Sequence, residues 1–384
     1  MRFGFFMLLI IICPGLFSQT IASADNASYA RRAAEIAASM SDSVLAAQVL
    51  LAGIDGKTRL TPAMRGILER VPAGGIVLFK YNLDTPKEEV KKLLTETTAL
   101  VKSGAGIAPF IAVDHEGGVV QRFGPGVERL PSAFSFWELT QKEGRVASLA
   151  RAETLYRRSA QEIRELGITM VLGPVAETLD NENRKFLETR SYGSDHDFTG
   201  EAASAFVKSM SAFGIASAVK HFPGNGAADP HEGVVAIQAG KPTLDEMVKP
   251  FAAVIRRQNP SAIMLSHVMV PALDSQKNAS LSDKVIKDWL RGELGFKGIV
   301  LADDFSMGAV AASGISPGAA AVEAINAGVD MIIVWPKDVI AVHASILNAL
   351  KEKRVSRERL EEAASSVIAE KLRYKISYLL NDLS

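Results

Sequence analysis

With 384 residues, 48% of them hydrophobic and 22% charged, the chain has ample material for a large buried core and lies far from disordered composition. Lys plus Arg and Asp plus Glu both total 43, so the formal charge is zero and no global basic field exists to draw nucleic acid. The length alone fits two or three domains, but an α/β barrel uses about 250 residues as one.

The N-terminus carries the first signal. Arg2 precedes the apolar run Phe5 to Cys13, then Pro14-Gly15, then the small-residue stretch Ala22-Ser23-Ala24. This pattern predicts a secretory signal peptide over residues 1–24, cleaved after Ala24. The run is short for a membrane span of about 20 residues, so an uncleaved anchor is the weaker alternative and no stable membrane insertion is expected after cleavage. Cys13 follows Ile10-Ile11-Ile12, unlike a lipoprotein cleavage cysteine. It is the single cysteine, so the mature chain, residues 25–384, would hold no thiol. That excludes a disulfide, a Cys-based zinc site and a cysteine nucleophile.

Beyond the leader no repeat or linker divides the chain. Eight short apolar runs recur: Val49–Ala52, Gly75–Phe79, Phe110–Val113, Ile168–Leu172, Ala216–Val219, Ala262–Leu265, Gly298–Ala302 and Met331–Val334. Runs of four to six apolar residues suit strands buried on both faces of a parallel sheet. Helical stretches lie between them. Thr85-Pro86-Lys87-Glu88 reads as a cap, a first-turn proline and an acidic first turn ahead of Val90, Leu93, Leu94, Leu100 and Val101, with Gly104 closing the helix. Leu149 to Leu166 is a second amphipathic stretch, stopped by Gly167. Thr243 with Glu246 reads as a capping box ahead of Met247, Phe251, Val254 and Ile255, with Pro250 expected to kink or shorten that helix. Eight strand–helix units favour a closed (β/α)8 barrel, and no G-x-G-x-x-G follows the first strand to suggest a dinucleotide fold.

Polar clusters follow four of the runs: Asp114-His115-Glu116, Lys220-His221, Ser266-His267 and Asp303-Asp304. In a barrel all strand C-termini open on one face, where active sites lie, so these clusters are expected to converge.

The clusters sit inside longer motifs. Asp114-His115-Glu116-Gly117-Gly118-Val119-Val120-Gln121-Arg122 resembles the D-x-E-G-G-x-V-Q-R segment of family 3 glycoside hydrolases. Lys220-His221-Phe222-Pro223-Gly224-Asn225-Gly226 is similar to that family's K-H-F-P-G-x-G segment. Asp229-Pro230-His231 matches the D-x-H of its β-N-acetylhexosaminidase branch, and Ala302-Asp303-Asp304-Phe305-Ser306-Met307 resembles its S-D-D-x-S-M segment. The departures are small: Ala302 replaces a serine, His115 stands where glutamine is common, and Asn225 occupies a variable position. The similarity runs in order from about Gly74 to Asp330.

The resemblance implies a single-domain barrel with a C-terminal helical tail and without the second α/β domain of larger relatives. It implies removal of β-linked N-acetylhexosamine from an oligosaccharide containing N-acetylglucosamine, through a covalent intermediate, with no cofactor and no metal. Retaining chemistry needs a carboxylate nucleophile and a proton donor. The resemblance assigns Asp303 as nucleophile, with Asp304 the better candidate for a helix cap, and the dyad Asp229–His231 as acid/base. Histidine titrates near neutrality and can donate and then recover a proton. Asp114, Arg122, Arg190, Lys220 and His221 become the sugar-binding residues, although Arg122 or Arg190 could instead be a buried ion-pair partner of Asp114. The loop from Asn225 to Val234 is the candidate to close over the sugar. Many Gram-negative relatives act in the cytoplasm, so a leader peptide points instead to a periplasmic or secreted role on peptidoglycan-derived or chitin-derived oligosaccharides.

Three rival readings keep the fold. A metal hydrolase could draw on Asp114, His115, Glu116, Asp229, His231, His267 and Asp303, but no H-x-H or H-E-x-x-H spacing is present. A phosphorylase could use the neutral imidazole to admit phosphate in place of water. A non-catalytic sugar-binding barrel would have to retain Asp303 and Asp229–His231 without turnover.

Overall fold

The computed structural model describes residues 14–124, 126–226, 233–311 and 314–376. Eight parallel strands close into a barrel in sequence order: β1 (Leu50–Gly53), β2 (Gly75–Leu78), β3 (Phe110–Gly117), β4 (Met170–Val175), β5 (Ala216–Phe222), β6 (Ala262–Leu265), β7 (Ile299–Ala302) and β8 (Met331–Val334). β8 pairs back onto β1, with Leu50 beside Ile332, which completes the ring. Each expected run holds a strand. β3 and β5 extend past the apolar run into Asp114-His115-Glu116 and Lys220-His221, because their ladders to neighbouring strands continue through Asp114 and Lys220.

Alternation along the strands separates two cores. Leu51, Val77, Phe110, Ala112, Met170, Leu172, Ala216, Ala218, Met264, Leu301 and Ile333 fill the barrel interior, and residues of opposite parity such as Ile76, Ile111, Val171, Val219, Ile263, Val300 and Ile332 pack under the helices. The period of two makes this sorting automatic once one residue is placed.

A helix follows every strand, among them Pro62–Arg70, Lys87–Ala105, Arg145–Glu165, His196–Ser211, Lys249–Gln258, Pro317–Ala327 and Val339–Lys351. Three local expectations give way. The helix after β2 begins at Lys87 with Pro86 in the cap position and no side-chain cap bond, so Thr85 does not cap it. It runs through Gly104 and ends at Gly106, whose φ of 74° supplies the left-handed turn that closes a helix. Thr243 lies inside a helix spanning Lys241–Met247, and Pro250 opens a separate helix, Lys249–Gln258, where its missing N–H costs nothing. The helix Arg145–Glu165 ends as expected before Gly167, with φ 99°.

At the N-terminal end, helix Arg357–Arg373 and the residues just after it close the barrel base: Val367 from the helix, then Tyr374 and Ile376, join the interior core. Helix Arg357–Arg373 also packs against the helix Pro14–Ser39, which buries Ala33 and Ala37 and spans the expected processing point after Ala24. Residues 1–13 lie outside the described residues, and no described helix is long and apolar enough to cross a membrane.

The base holds a fully buried lysine. Lys371 donates to Gln48 Oε1 at 2.8 Å and lies 5.9 Å from the Phe110 ring centroid. Burial pushes its ammonium down to about 7 from 10.5. Between about pH 7 and 10.5 the unfolded chain therefore holds a proton that the folded chain has released, so Lys371 makes stability rise with pH across that window. Thermal melts of wild type and Lys371→Met from pH 6 to 10 should show the wild type gaining on the variant as pH rises. Parallel profiles would refute this.

Candidate functional site

The interior parity carries directly into the site. Counting by twos, Phe110 and Ala112 lead to Asp114 and Glu116, Ala216 and Ala218 lead to Lys220, Leu301 leads to Asp303, Val77 to Phe79 and Ile333 to Trp335. The upper end of the barrel is thus the continuation of its filled interior, with charged and aromatic groups replacing aliphatic ones. Phe79, Asp114, Glu116, Lys220, Asp303 and Trp335 line one cavity of about 510 Å³, together with Arg122, Arg190, His221, Asn225, His267 and Asp304. A pocket of this size falls in the range of ~300–1,000 Å³ typical of small-ligand sites.

Charge is arranged as an alternating chain across β3, β4 and β5. Arg122 Nη2 lies 3.2 Å from Asp114 Oδ2, and Lys220 Nζ lies 2.8 Å from Asp114 Oδ1 and 2.7 Å from Glu116 Oε1. Arg190 then grips Glu116 with two bonds of 2.9 Å. Lys220 and Glu116 are each only 3% exposed at the side chain. Burial alone would raise Asp114, but Lys220 and Arg122 outweigh it and hold the carboxyl well below its usual range. Against the same burial, Lys220 and Arg190 lower Glu116 to about 2. Burial disfavours the Lys220 ammonium, yet Asp114 and Glu116 raise it above the ordinary lysine value.

Local sequence explains how Arg122 arrives. Gly117 and Gly118, with φ of 93° and 56°, turn the chain where a Cβ would meet Pro131 O at 2.3 Å or the Ser132 side chain at 2.8 Å. Val120–Gln121 then pairs antiparallel with the end of β3, and Gln121 Oε1 accepts from Leu130 N at 2.9 Å. The returning strand delivers Arg122 over Asp114. Of the rival ion-pair assignments, Arg122 does pair with Asp114 while still lining the cavity, whereas Arg190 pairs with Glu116.

Glu177, just past β4, forms a second buried cluster that motif reading missed. Its Oε1 lies 2.7 Å from His221 Nδ1, and both its oxygens accept from Asn225 Nδ2 at 3.0 Å. The only hint in sequence is a carboxylate directly after the apolar run of β4. Glu177 thus fixes His221 and the start of the loop after β5. Ser266 donates to Gly224 O at 2.8 Å, and farther along Met269 N donates to Val235 O at 2.7 Å. Both described ends of that loop are therefore fastened. Asp229 and His231, in segment 227–232, lie outside the described residues.

Asp303 stands at the end of β7, on the cavity wall, and its Oδ1 accepts from Asp304 N at 2.8 Å. Among the described residues no cation pairs with it. Asp304, also on the cavity wall, holds the following turn, accepting from Ser306 N at 2.9 Å and from the Ser306 hydroxyl. Burial, reinforced by neighbouring Asp303, raises the Asp304 carboxyl. His267 braces the same turn, its Nε2 3.1 Å from Asp304 O and its Nδ1 2.7 Å from Ser280 Oγ. His115 has outward parity: it is fully buried, bonds Ser159 Oγ at 2.7 Å, and burial lowers its imidazole to about 4.

The closed ring of eight parallel strands and the convergence of charged side chains at one mouth define the class of (β/α)8 enzymes. Residues 47–369 match the Glycosyl hydrolase family 3 N terminal domain, and the chain belongs to that family. It is 34% identical over 305 residues to a β-hexosaminidase of Stenotrophomonas maltophilia (strain R551-3), covering 77% of this chain and 86% of that one. It is similar to a glycoside hydrolase family 3 β-N-acetylglucosaminidase from Paenibacillus sp. str. FPU-7, with a TM-score of 0.82 and 28% identity, covering 88% of this chain and 63% of that longer one. It is also similar to NagZ from Neisseria gonorrhoeae in complex with N-trifluoroacetyl-D-glucosamine, with a TM-score of 0.69 and 28% identity over 83% of this chain and 96% of that one.

The ionic frame should set the acid limit of the fold. Because Glu116 is lowered to about 2 from 4.5, its stabilisation is complete above about pH 4.5 and is lost as pH falls toward 2. Glu116→Gln leaves Lys220 and Arg190 partly uncompensated and should cost ~3–5 kcal/mol at pH 7. Urea titrations of both proteins at pH 7 and pH 3 should show the gap shrinking at low pH. An equal gap at both values would contradict the assignment.

Proposed function

We propose that this chain is a retaining β-N-acetylhexosaminidase that removes terminal β-linked N-acetylglucosamine from peptidoglycan fragments or chitooligosaccharides. The observation that carries the reading is the position of Asp303: an inward-facing carboxylate with no cation partner among the described residues, on the same cavity wall as the frame of Asp114, Arg122, Arg190, Lys220 and His221. The β-hexosaminidase and β-N-acetylglucosaminidase names of its relatives supply the sugar.

In this reading Asp114, held ionised by Lys220 and Arg122, accepts hydrogen bonds from sugar hydroxyls, while Arg122, Lys220 and His221 complete the subsite. Charged partners make the stronger bonds to neutral hydroxyls. The Asp304 N–H orients Asp303 so that its second oxygen attacks the anomeric carbon. The C–O bond to the leaving group breaks as His231, oriented by Asp229, gives that oxygen a proton. The glycosyl ester formed on Asp303 is neutral. His231 then takes a proton from water, which attacks the same carbon from the vacated side, releasing the sugar with retained configuration. Asp229 follows Asn225, a residue of the cavity wall, by four positions, at most about 14 Å of extended chain.

Hydrolysis of p-nitrophenyl β-N-acetylglucosaminide tests the mechanism. Asp303→Ala should lose on the order of 10⁴-fold or more in kcat, and NMR of the wild-type reaction should show the β-anomer released first. In phosphate buffer the product should be free sugar and not a sugar phosphate. An Asp303→Ala protein with full activity would end this reading.

The same proposal places the enzyme outside the cytoplasm, on the support of Arg2, the apolar run Phe5 to Cys13 and the Ala22-Ser23-Ala24 site. Expressed in a Gram-negative host, the full chain should be recovered from the periplasmic or secreted fraction with an N-terminus at Asp25. Recovery with residues 1–24 retained would count against it.

A further inference from the structure

The barrel mouth carries one feature that bond cleavage does not use. Tyr81, Phe79 and Trp335 form a pile of three rings: Phe79 stacks on Trp335 with centroids 4.4 Å apart and planes 4° from parallel, and on Tyr81 at 5.8 Å and 21°. Tyr81 and Trp335 are 37% and 38% exposed, two of the few large apolar side chains on the described surface. The pile is held rigidly. Tyr81 donates its hydroxyl to Ile54 O at 2.8 Å, and Phe79 N donates to Asn82 Oδ1 at 2.8 Å. Ring contacts alone could be an ordinary surface cluster, but Phe79 and Trp335 also line the cavity that Asp303 enters.

The strand order gives these rings a direction. The ionic frame occupies β3 to β5, and the aromatic arc runs from β8 past β1 to β2, on the other side of the mouth. Asp303, on β7, is next to the aromatic arc. A sugar whose non-reducing hydroxyls are held by the frame turns its anomeric carbon away from β3 to β5, and an equatorial β-linkage carries the leaving group farther in that direction, across the mouth toward the arc of Trp335, while Asp303 attacks from the opposite face of the ring. Trp335 has one indole face against Phe79, yet it stays 38% exposed and lines the cavity. A pyranose has an apolar face of axial C–H groups whose positive edge suits the negative face of an aromatic ring. The cavity of about 510 Å³ exceeds the space that one pyranose fills.

We propose that Trp335, backed by Phe79 and Tyr81, is the binding platform for the pyranose on the leaving-group side of the scissile bond, and that it makes the enzyme select β-linked amino-sugar oligosaccharides over simple β-glycosides. This rests on the hydrolase reading above. The platform acts on specificity and does not touch the reacting atoms.

The test compares N,N′-diacetylchitobiose, whose leaving group is a pyranose, with methyl β-N-acetylglucosaminide, whose leaving group is methanol. Trp335→Leu should lower kcat/KM for the disaccharide by roughly three- to tenfold, the range expected for losing one aromatic stacking contact, with a far smaller change for the methyl glycoside. Trp335→Phe, which keeps a ring but loses the indole N–H, should retain most of the disaccharide preference. Equal losses on both substrates, equal losses in both variants, or no loss would overturn the proposal. Calorimetric binding of the disaccharide to Asp303→Asn, with and without Trp335→Leu, separates the two claims. Trp335-dependent binding by a protein whose wild type releases no sugar would leave the platform standing and remove the hydrolase reading. Normal hydrolysis with indifferent binding would do the reverse.

Discussion

The molecule is organised around the Lys220 ammonium, enclosed in the barrel and bonded to Asp114 and Glu116 together. An isolated charge in that position would cost several kcal/mol, and two carboxylates alone would cost more. Here each charge is compensated on both sides, from Arg122 through Asp114, Lys220 and Glu116 to Arg190. The chain ties β3 to β5 and to the loop after β4 across the mouth. A polar frame inside a barrel is tolerable only when complete, so these five side chains depend on one another for both stability and position. Glu177 repeats the device one step outward, holding His221 and Asn225.

Below this layer the interior is aliphatic and aromatic, closed at the base by Val367, Tyr374 and Ile376. The period of two assigns both layers from the same strands. Phe110 and Ala112 build the core that Asp114 and Glu116 then crown. The fold therefore does not add a site to a finished barrel. The site is the last inward layer of the strands, and an outward neighbour such as His115 serves packing instead.

The strands were legible because a strand buried on both faces leaves a continuous apolar run, and Ala262–Leu265 and Met331–Val334 fall on the observed elements to the residue. The convergence of Asp114, Lys220 and Asp303 on one face was legible from barrel geometry. Helix boundaries were less so. Thr85 and Gly104 offered plausible local signals, but Pro86 and Gly106 hold the backbone angles that the ends require, and such angles are not written in residue type alone. Glu177 was missed because its partners, His221 and Asn225, are more than forty residues away and no spacing announces them. The partner of Arg190 was also hidden: Asp114 and Glu116 both face inward, and only the path of the loop after β4 decides between them.

The carboxylates of the mouth divide by their partners. Asp114 and Glu116 are each gripped by two cations, which lowers their basicity and fixes their oxygens, qualities suited to holding hydroxyls and to holding the frame. Among the described residues, the hydrogen bond found at Asp303 comes from the N–H of the next residue, and no cation pairs with it. A carboxylate whose charge was already spent on a lysine would be a poor nucleophile and would gain little on becoming an ester, because the lysine would then be left uncompensated. Placing the cations on β3 to β5 and the lone carboxylate on β7 avoids that conflict. In the proposed reaction the charge lost on Asp303 leaves no buried cation behind, and the ionic frame keeps the sugar fixed while the bond beside it is exchanged.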